Sequence, residues 1–297
     1  MRGGFRLGCP IATFSIVACD IAAGDLGIAV ASKFLACGAV VPWASAEAGA
    51  VATQSYSNTA YGPDGIRMMR DGLSAPEALA RLIADDPGRD LRQVGLADAR
   101  GGAAAHTGVS CHGWAGHRVG EGFTCQGNLL VGEETVAAMA ATFRAAPGAL
   151  AERLLASLEA GDAAGGDRRG RQSAALYVVR PRGGYGGMND VLVDLRVDDH
   201  GQPVSELRRL LALHTLYFGS GLGHEKVTID GDVLAELKRI MRRRGHYRGD
   251  DTSAWDEATM KALDAFIAAE NLEERCDLVA RTIDAPALAF LRRMGGS

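Results

Sequence analysis

From Phe14 to Val17 apolar and polar positions alternate, and from Leu26 to Ala31 they run apolar, with AAGDLG between the two runs. Such runs are the signature of buried strands, and Gly24-Asp25 between them predicts a hairpin. GAVATQSYS (49–57) and QVGLADARGGAAAHTG (93–108) add further strands, the second turning at a Gly-Gly pair. Between these the period lengthens to that of a helix. Ile66, Met69 and Leu73 mark one helix. Ser74 opens a second, with Glu77 at the capping-box position and Leu79, Leu82 and Ile83 on one face. FTCQGNLLVG then reads as a strand leading into a helix over EETVAAMAATFRAA. Leu150, Leu154, Leu155 and Leu158 repeat along the next helix, 148–160. Two strands around a glycine-rich turn follow in QSAALYVVRPRGGYGGMNDVLVDLRVDDH, and then a helix, PVSELRRLLALHTLYFGSG, with Gly219 and Gly221 as its stop.

Helices set between antiparallel hairpins, and not after every strand, predict a layered α+β domain over 13–220 in place of a doubly wound parallel sheet. The character changes after a joint near Gly219 to Gly223. Residues 226–297 show no strand pattern and three amphipathic segments, around VLAELKRIMRRRG, WDEATMKALDAFIAAENL and APALAFLRRMG. Val233, Leu234, Leu237, Ile240 and Met241 make one stripe, and the expectation is a small all-α, three-helix domain.

Composition narrows the functional classes. A net charge of −4 gives no electrostatic reason to expect nucleic acid or an anionic membrane as partner. No window reaches the apolar length of a membrane span. The first twelve residues, MRGGFRLGCPIA, lack the apolar core of a signal peptide, so a cytoplasmic location is expected. Six cysteines, at 9, 19, 37, 111, 125 and 276, are scattered without a CxxC pair, which fits a reducing compartment. His106, Cys111, His112, His117 and Cys125 match no familiar ligand spacing and are interleaved with glycines, so no metal is expected.

Thr13 stands at the head of the first strand. A threonine hydroxyl is a weak nucleophile and needs a base; at a chain terminus its own α-amino group, with a pKa of about 8, supplies one. Lys33 ends the second strand, where its charge would lower the pKa of that amine. The other reading is an ordinary strand threonine. Asn128, beside Gly127, is either an N–H donor for an oxyanion or part of a Gly-Asn turn. Gln54, Ser55 and Asn58 offer either a polar pocket lining or the capping of a loop. Asp167, Arg168 and Arg169 precede an apolar strand: the arginine forks suit a substrate carboxylate, Asp167 suits the terminal amine, and both also suit a solvated loop.

The stretches TFSIVACD, GIAVASKFLACGAVVPWA, GAVATQSYSNTAYGPDG, WAGHRVGEGFTCQGNLLVG, GGDRRGRQSAALYVV and VDLRVDDH, together spanning roughly Thr13 to Leu211, carry a resemblance. The chain resembles DUF1028, an uncharacterised bacterial family within the N-terminal nucleophile (Ntn) hydrolase superfamily. That resemblance implies a four-layer αββα sandwich and an amide-bond hydrolase with Thr13 as nucleophile, working on a small amide or peptide without a cofactor. Ala12 precedes Thr13, so residues 1–12 read as a leader whose removal exposes the nucleophile. The alternative is a non-catalytic Ntn-fold protein whose nucleophile stays covered. The segment 233–272 resembles peptidoglycan-binding-like helical domains, on Gly245-x-Tyr247-x-Gly249 followed by Thr259, Ala262, Leu263 and Phe266. This implies a glycan or protein partner, with Tyr247 and Trp255 either stacking on sugars or pinning helices; a homo-oligomer is compatible with the sequence.

Overall fold

The alternating run at the head of the chain forms β1 (Thr13–Asp20), paired antiparallel with β2 (Asp25–Ser32) so that Thr13 faces Ser32. In the computed structural model, residues 13–219, 225–250 and 254–295 are described. The 1–12 leader, the Gly221 stop and most of the joint up to Gly223 lie outside them.

The chain continues through β3 (Pro42–Ser45), β4 (Gly49–Ser55), α1 (Tyr61–Arg70), α2 (Ala75–Ala84), β5 (Arg92–Asp98) and β6 (Ala103–Thr107). It then forms β7 (Trp114–Gly120), β8 (Phe123–Leu130), α3 (Glu134–Ala145), α4 (Leu150–Ala163), β9 (Ser173–Val179), β10 (Val191–Val197) and α5 (Pro203–Phe218). The expected capping box opens α2: the Glu77 N–H bonds Ser74 Oγ while a Glu77 carboxylate oxygen accepts the Ser74 N–H at 2.8 Å.

Two antiparallel sheets result. One has the order β10-β9-β2-β1-β8-β7, the other β3-β4-β5-β6. Helices α3 and α4 cover the larger sheet, α1 and α2 cover the smaller, and the sheets face each other, so the layers run α, β, β, α as expected. Strand alternation assigns the faces. Phe14, Ile16 and Ala18 of β1 pack with Met139, Phe143, Leu154 and Leu158 of the helices, whereas Val17 and Cys19 pack between the sheets with Ala50, Ala52 and Ala97. Shortening Leu154, which is fully buried, to alanine would cost about 2–5 kcal/mol.

The chain divides into two units, Met1–Leu211 and Ala212–Ser297. The division falls inside α5, because Leu207 and Leu211 join the first core while Leu216 joins the second. The second unit contains β11 (Lys226–Thr228), α6 (Gly231–Arg243), α7 (Glu257–Ala269), β12 (Cys276–Asp277), β13 (Thr282–Asp284) and α8 (Ala285–Gly295). Its three helices are the amphipathic segments foreseen, and Leu234, Leu237, Ile240 and Met241 of α6 are buried. The expectation that no strand occurs here is corrected by a small antiparallel sheet of order β11-β13-β12. Strands of two or three residues hold too few positions for a period of two to show in sequence. Among the described residues, no helix is long and apolar enough to cross a membrane.

Candidate functional site

The space between the two sheets changes character along its length. Its middle is filled by Val17, Ile28, Val30, Ala50 and Ala52. Toward the end where β1 begins, the same inward-facing strand positions turn polar. Thr13 and Ser15 of β1, Ser32 of β2, Gln54 of β4, Gln93 of β5, and Thr124, Gln126 and Asn128 of β8 are all buried there. Burying a polar group is costly unless it is hydrogen-bonded, so where each amide points follows from what it meets.

Backbone carbonyls can only accept, and they fix the sense of the whole array. Gln93 Nε2 donates to the carbonyls of Gly127 (2.8 Å) and Gly116 (3.2 Å), which turns Gln93 Oε1 the other way. That oxygen accepts from Gln54 Nε2 at 2.8 Å and from Asn128 Nδ2 at 2.9 Å. Gln54 Nε2 also reaches the backbone carbonyl of Thr13, at 3.3 Å. Gln54 Oε1 accepts the Ser15 hydroxyl at 2.7 Å, so Ser15 Oγ is left to accept from Gln126 Nε2, also at 2.7 Å. Gln126 Oε1 takes the Thr124 hydroxyl. The array fits because position 95 is glycine: a Cβ there would collide with Gln126 Oε1 and Thr124 Oγ1.

Thr13 Oγ1 donates to Ser32 Oγ at 3.1 Å, and the residue is wholly buried. The register that sets Phe14 against Gly127 brings Thr13 level with Asn128. Asn128 Oδ1 is buried without a hydrogen-bond partner among the described residues. An unmet buried acceptor costs about 1–3 kcal/mol. Ser55 Oγ is in the same position. Both strands end in left-handed backbone at non-glycine residues, Ser55 at φ 65° and Leu129 at φ 53°. Strain of this kind collects at functional sites.

Lys33 is exposed, and its backbone N–H, following Ser32, donates to Asp167 Oδ2 at 3.0 Å. Asp167 is buried and held bidentately by Arg169, Nε to Oδ1 at 3.1 Å and Nη2 to Oδ2 at 2.8 Å. Arg168 is exposed beside it. Asn58 belongs to a different cluster, bonding Asp86 Oδ2 at 3.3 Å together with Tyr61 Oη at 2.9 Å and Arg92 Nε at 2.9 Å. Thus Thr13, Gln54 and Asn128 share one layer, Asp167 flanks it, and Asn58 braces the loop after β4.

The histidines bond separate partners: His106 the Arg89 carbonyl, His112 the Tyr56 hydroxyl and His117 the Thr107 hydroxyl. Cys125 lies on the helix face of β8, where burial pushes its thiol up to about 12. Among the described residues, no three potential metal ligands converge. The sequence reading missed Ser15, Ser32, Gln93, Thr124 and Gln126. Their signal was available as T-x-S in β1 and T-x-Q-x-N in β8, polar side chains at a period of two. Such a pattern ordinarily marks the solvated face of a sheet. Here a second sheet covers that face.

Residues 13–207 match the family described as "Family of unknown function (DUF1028)", and residues 222–291 match the one described as "Putative peptidoglycan binding domain". The structure is similar to the crystal structure of protein SPO2555 from Silicibacter pomeroyi, itself described as DUF1028. The TM-score is 0.62 and the sequence identity 31%, covering 69% of this chain and 89% of that one. No protein of curated function matches the chain.

Proposed function

The chain belongs to the DUF1028 family, and from that premise we propose that its first unit is an amidohydrolase whose nucleophile is Thr13, exposed by cleavage of the Ala12–Thr13 bond. One observation carries this reading. The hydroxyl of a strand-leading threonine lies between the sheets, level with an amide, Asn128, whose carbonyl oxygen has no partner among the described residues. A strand threonine with only a packing role has no need of such a neighbour.

In this reaction the freed α-amine of Thr13 takes the proton of its own hydroxyl while Oγ1 attacks the substrate carbonyl carbon. The oxyanion that forms is met by the Asn128 N–H not engaged by Gln93, and the unmet Asn128 Oδ1 accepts an N–H of the amine. Collapse breaks the C–N bond, the amine returns the proton to the leaving nitrogen, and an acyl ester remains on Thr13. Water then releases the acid. Ser32 orients the hydroxyl, and Gln54 holds the Thr13 carbonyl and so the start of β1. Lys33, at the exposed rim, tunes the amine weakly because solvent screens its charge. Ser55 belongs to the pocket lining as a buried hydroxyl at the end of β4.

Intact mass and N-terminal sequencing of the purified protein, before and after incubation, test this first. A chain beginning at Thr13 that hydrolyses small amides, with both cleavage-dependent activity and turnover lost in Thr13→Ala, is the expected result. A chain that keeps Ala12 and shows no hydrolysis overturns it. The complete burial of Thr13 then favours the second reading, a non-catalytic Ntn-fold protein that binds glycan or a protein partner through residues 222–291.

A further inference from the structure

Past Asn128, β8 ends at Leu130, and the surface there hollows into an open depression of about 690 Å³ lined by Trp114, Leu130, Val131, Asp167 and Arg168 among others. Ligand sites commonly span about 300–1,000 Å³. Two connections tie this hollow to the strand ends that hold Thr13. Leu130 is two residues beyond Asn128 on the same strand. Asp167 accepts the N–H of Lys33, which follows Ser32, the hydroxyl partner of Thr13.

Its chemistry is uneven. Asp167 is satisfied by the fork of Arg169 and by the Lys33 N–H, so it has little left to offer an incoming cation. Arg168 is different: among the described residues, no carboxylate pairs with its guanidinium. Its position is nevertheless fixed, since its N–H donates to the Leu129 carbonyl at 3.0 Å and Asp167 bridges to Leu130. The loop that carries it turns through Gly165 at φ 112° and Gly170 at φ 108°, backbone that side-chain-bearing residues rarely adopt. The same lining includes three apolar side chains: half-buried Trp114, buried Leu130 and exposed Val131. A guanidinium without a carboxylate partner among the described residues, in one hollow with an indole and two branched aliphatics, matches a carboxylate with an apolar side chain on the neighbouring carbon.

We infer that this hollow is the subsite for an α-amino acid unit, and that the amides cleaved at Thr13 are N-acylated apolar or aromatic amino acids. Arg168 takes the carboxylate bidentately, Trp114 and Val131 take the side chain, and the acylated nitrogen, one atom from the α-carbon, is the leaving nitrogen. The cleavage rests on the Thr13 reading above; the binding does not.

Calorimetric titration of the whole protein with N-acetyl-L-phenylalanine and with N-acetyl-L-phenylalaninamide separates the two. The acid is expected to bind about 10- to 100-fold more tightly than its neutral amide. Arg168→Gln, at an exposed position, is expected to erase that preference, and Arg168→Lys to keep part of it as a point charge without the fork. Equal binding of the two compounds, no binding of the acid, or a preference that survives Arg168→Gln overturns the subsite. A carboxylate preference in protein that never cleaves before Thr13 keeps the subsite and removes the Thr13 reading. Hydrolysis of neutral amides by a chain beginning at Thr13, without that preference, does the reverse.

Discussion

Gln93 decides which atoms its neighbours present. Its amide nitrogen is bound to two backbone carbonyls, so its oxygen has to face Asn128, and Asn128 has to answer with an N–H. The carbonyl oxygen of Asn128 is thereby kept without a partner among the described residues, level with Thr13. Gln93→Leu leaves the Gly127 and Gly116 carbonyls unmet and releases Asn128 to rotate. Each unmet buried group costs about 1–3 kcal/mol. We expect a lower urea midpoint together with lost amide hydrolysis, and a variant that keeps full turnover would remove the positioning role. Gln93→Glu sharpens the test through pH. A carboxylate facing two carbonyls in a buried site has its folded pKa raised. A raised pKa means that stability is present at low pH and is lost as pH climbs through the folded value. Urea midpoints for this variant should therefore be higher at about pH 5 than at about pH 8, a range over which an exposed glutamate adds no dependence.

Asp86, just past α2, links three elements: Tyr61 at the start of α1, Arg92 at the start of β5 and Asn58 on the loop after β4. Burial alone would raise its pKa, but Arg92, the Gly88 N–H, Tyr61 and Asn58 outweigh that and hold it at about 2. A folded value below the ordinary carboxylate value of about 3.9 stabilises the fold above that pH. The contribution is lost as pH falls from there through about 2. Acid unfolding should thus be flatter over that window in Asp86→Asn. Asp86→Ala should lose about 3–5 kcal/mol at neutral pH, because the buried Arg92 charge would lose the carboxylate paired with it. Equal acid unfolding of wild type and Asp86→Asn would argue against the linkage. Of this cluster only Asn58 was singled out in sequence, as pocket lining or loop cap; its partners Asp86, Tyr61 and Arg92 come from other segments and carry no shared pattern. The elements themselves were largely legible wherever a periodic pattern met a local stop or start signal, as at Ser74 and Glu77 of α2 or the leucines of α4. β3 and β7 escaped notice because Pro42–Ser45 is short and Trp114–Gly120 carries glycines and half-exposed side chains where alternation would show. The polar layer was half legible: Thr13, Gln54 and Asn128 were singled out, while Gln93 and Gln126 carry no signal of their own, because a period-two polar pattern ordinarily marks a solvated face and only the second sheet makes it buried.

At the scale of the molecule the chain joins a DUF1028 unit to a unit that matches a peptidoglycan-binding family, and the second unit limits which of its aromatics can touch a ligand. Tyr247 is 6% exposed and belongs to the core, with the ammonium of fully buried Lys238 lying 5.4 Å from its ring centre. Lys238 Nζ also donates to the Ala254 carbonyl at 2.8 Å. Tyr247 therefore pins helices and offers no ring face to a sugar. Trp255 is only half-buried, with the Arg281 guanidinium 5.0 Å from its ring centre. If residues 222–291 dock on glycan, the contact falls to Trp255 and its surroundings. Trp255→Ala should lower co-sedimentation with insoluble peptidoglycan by about tenfold, the equivalent of about 1.4 kcal/mol. Amide hydrolysis by the first unit should be unchanged, because the substitution lies in the other unit. Lys238→Met, which leaves the Ala254 carbonyl unmet, should instead lower the unfolding temperature of the second unit. Co-sedimentation that is indifferent to Trp255→Ala while the unit remains folded would point the second unit away from sugar and toward a protein partner.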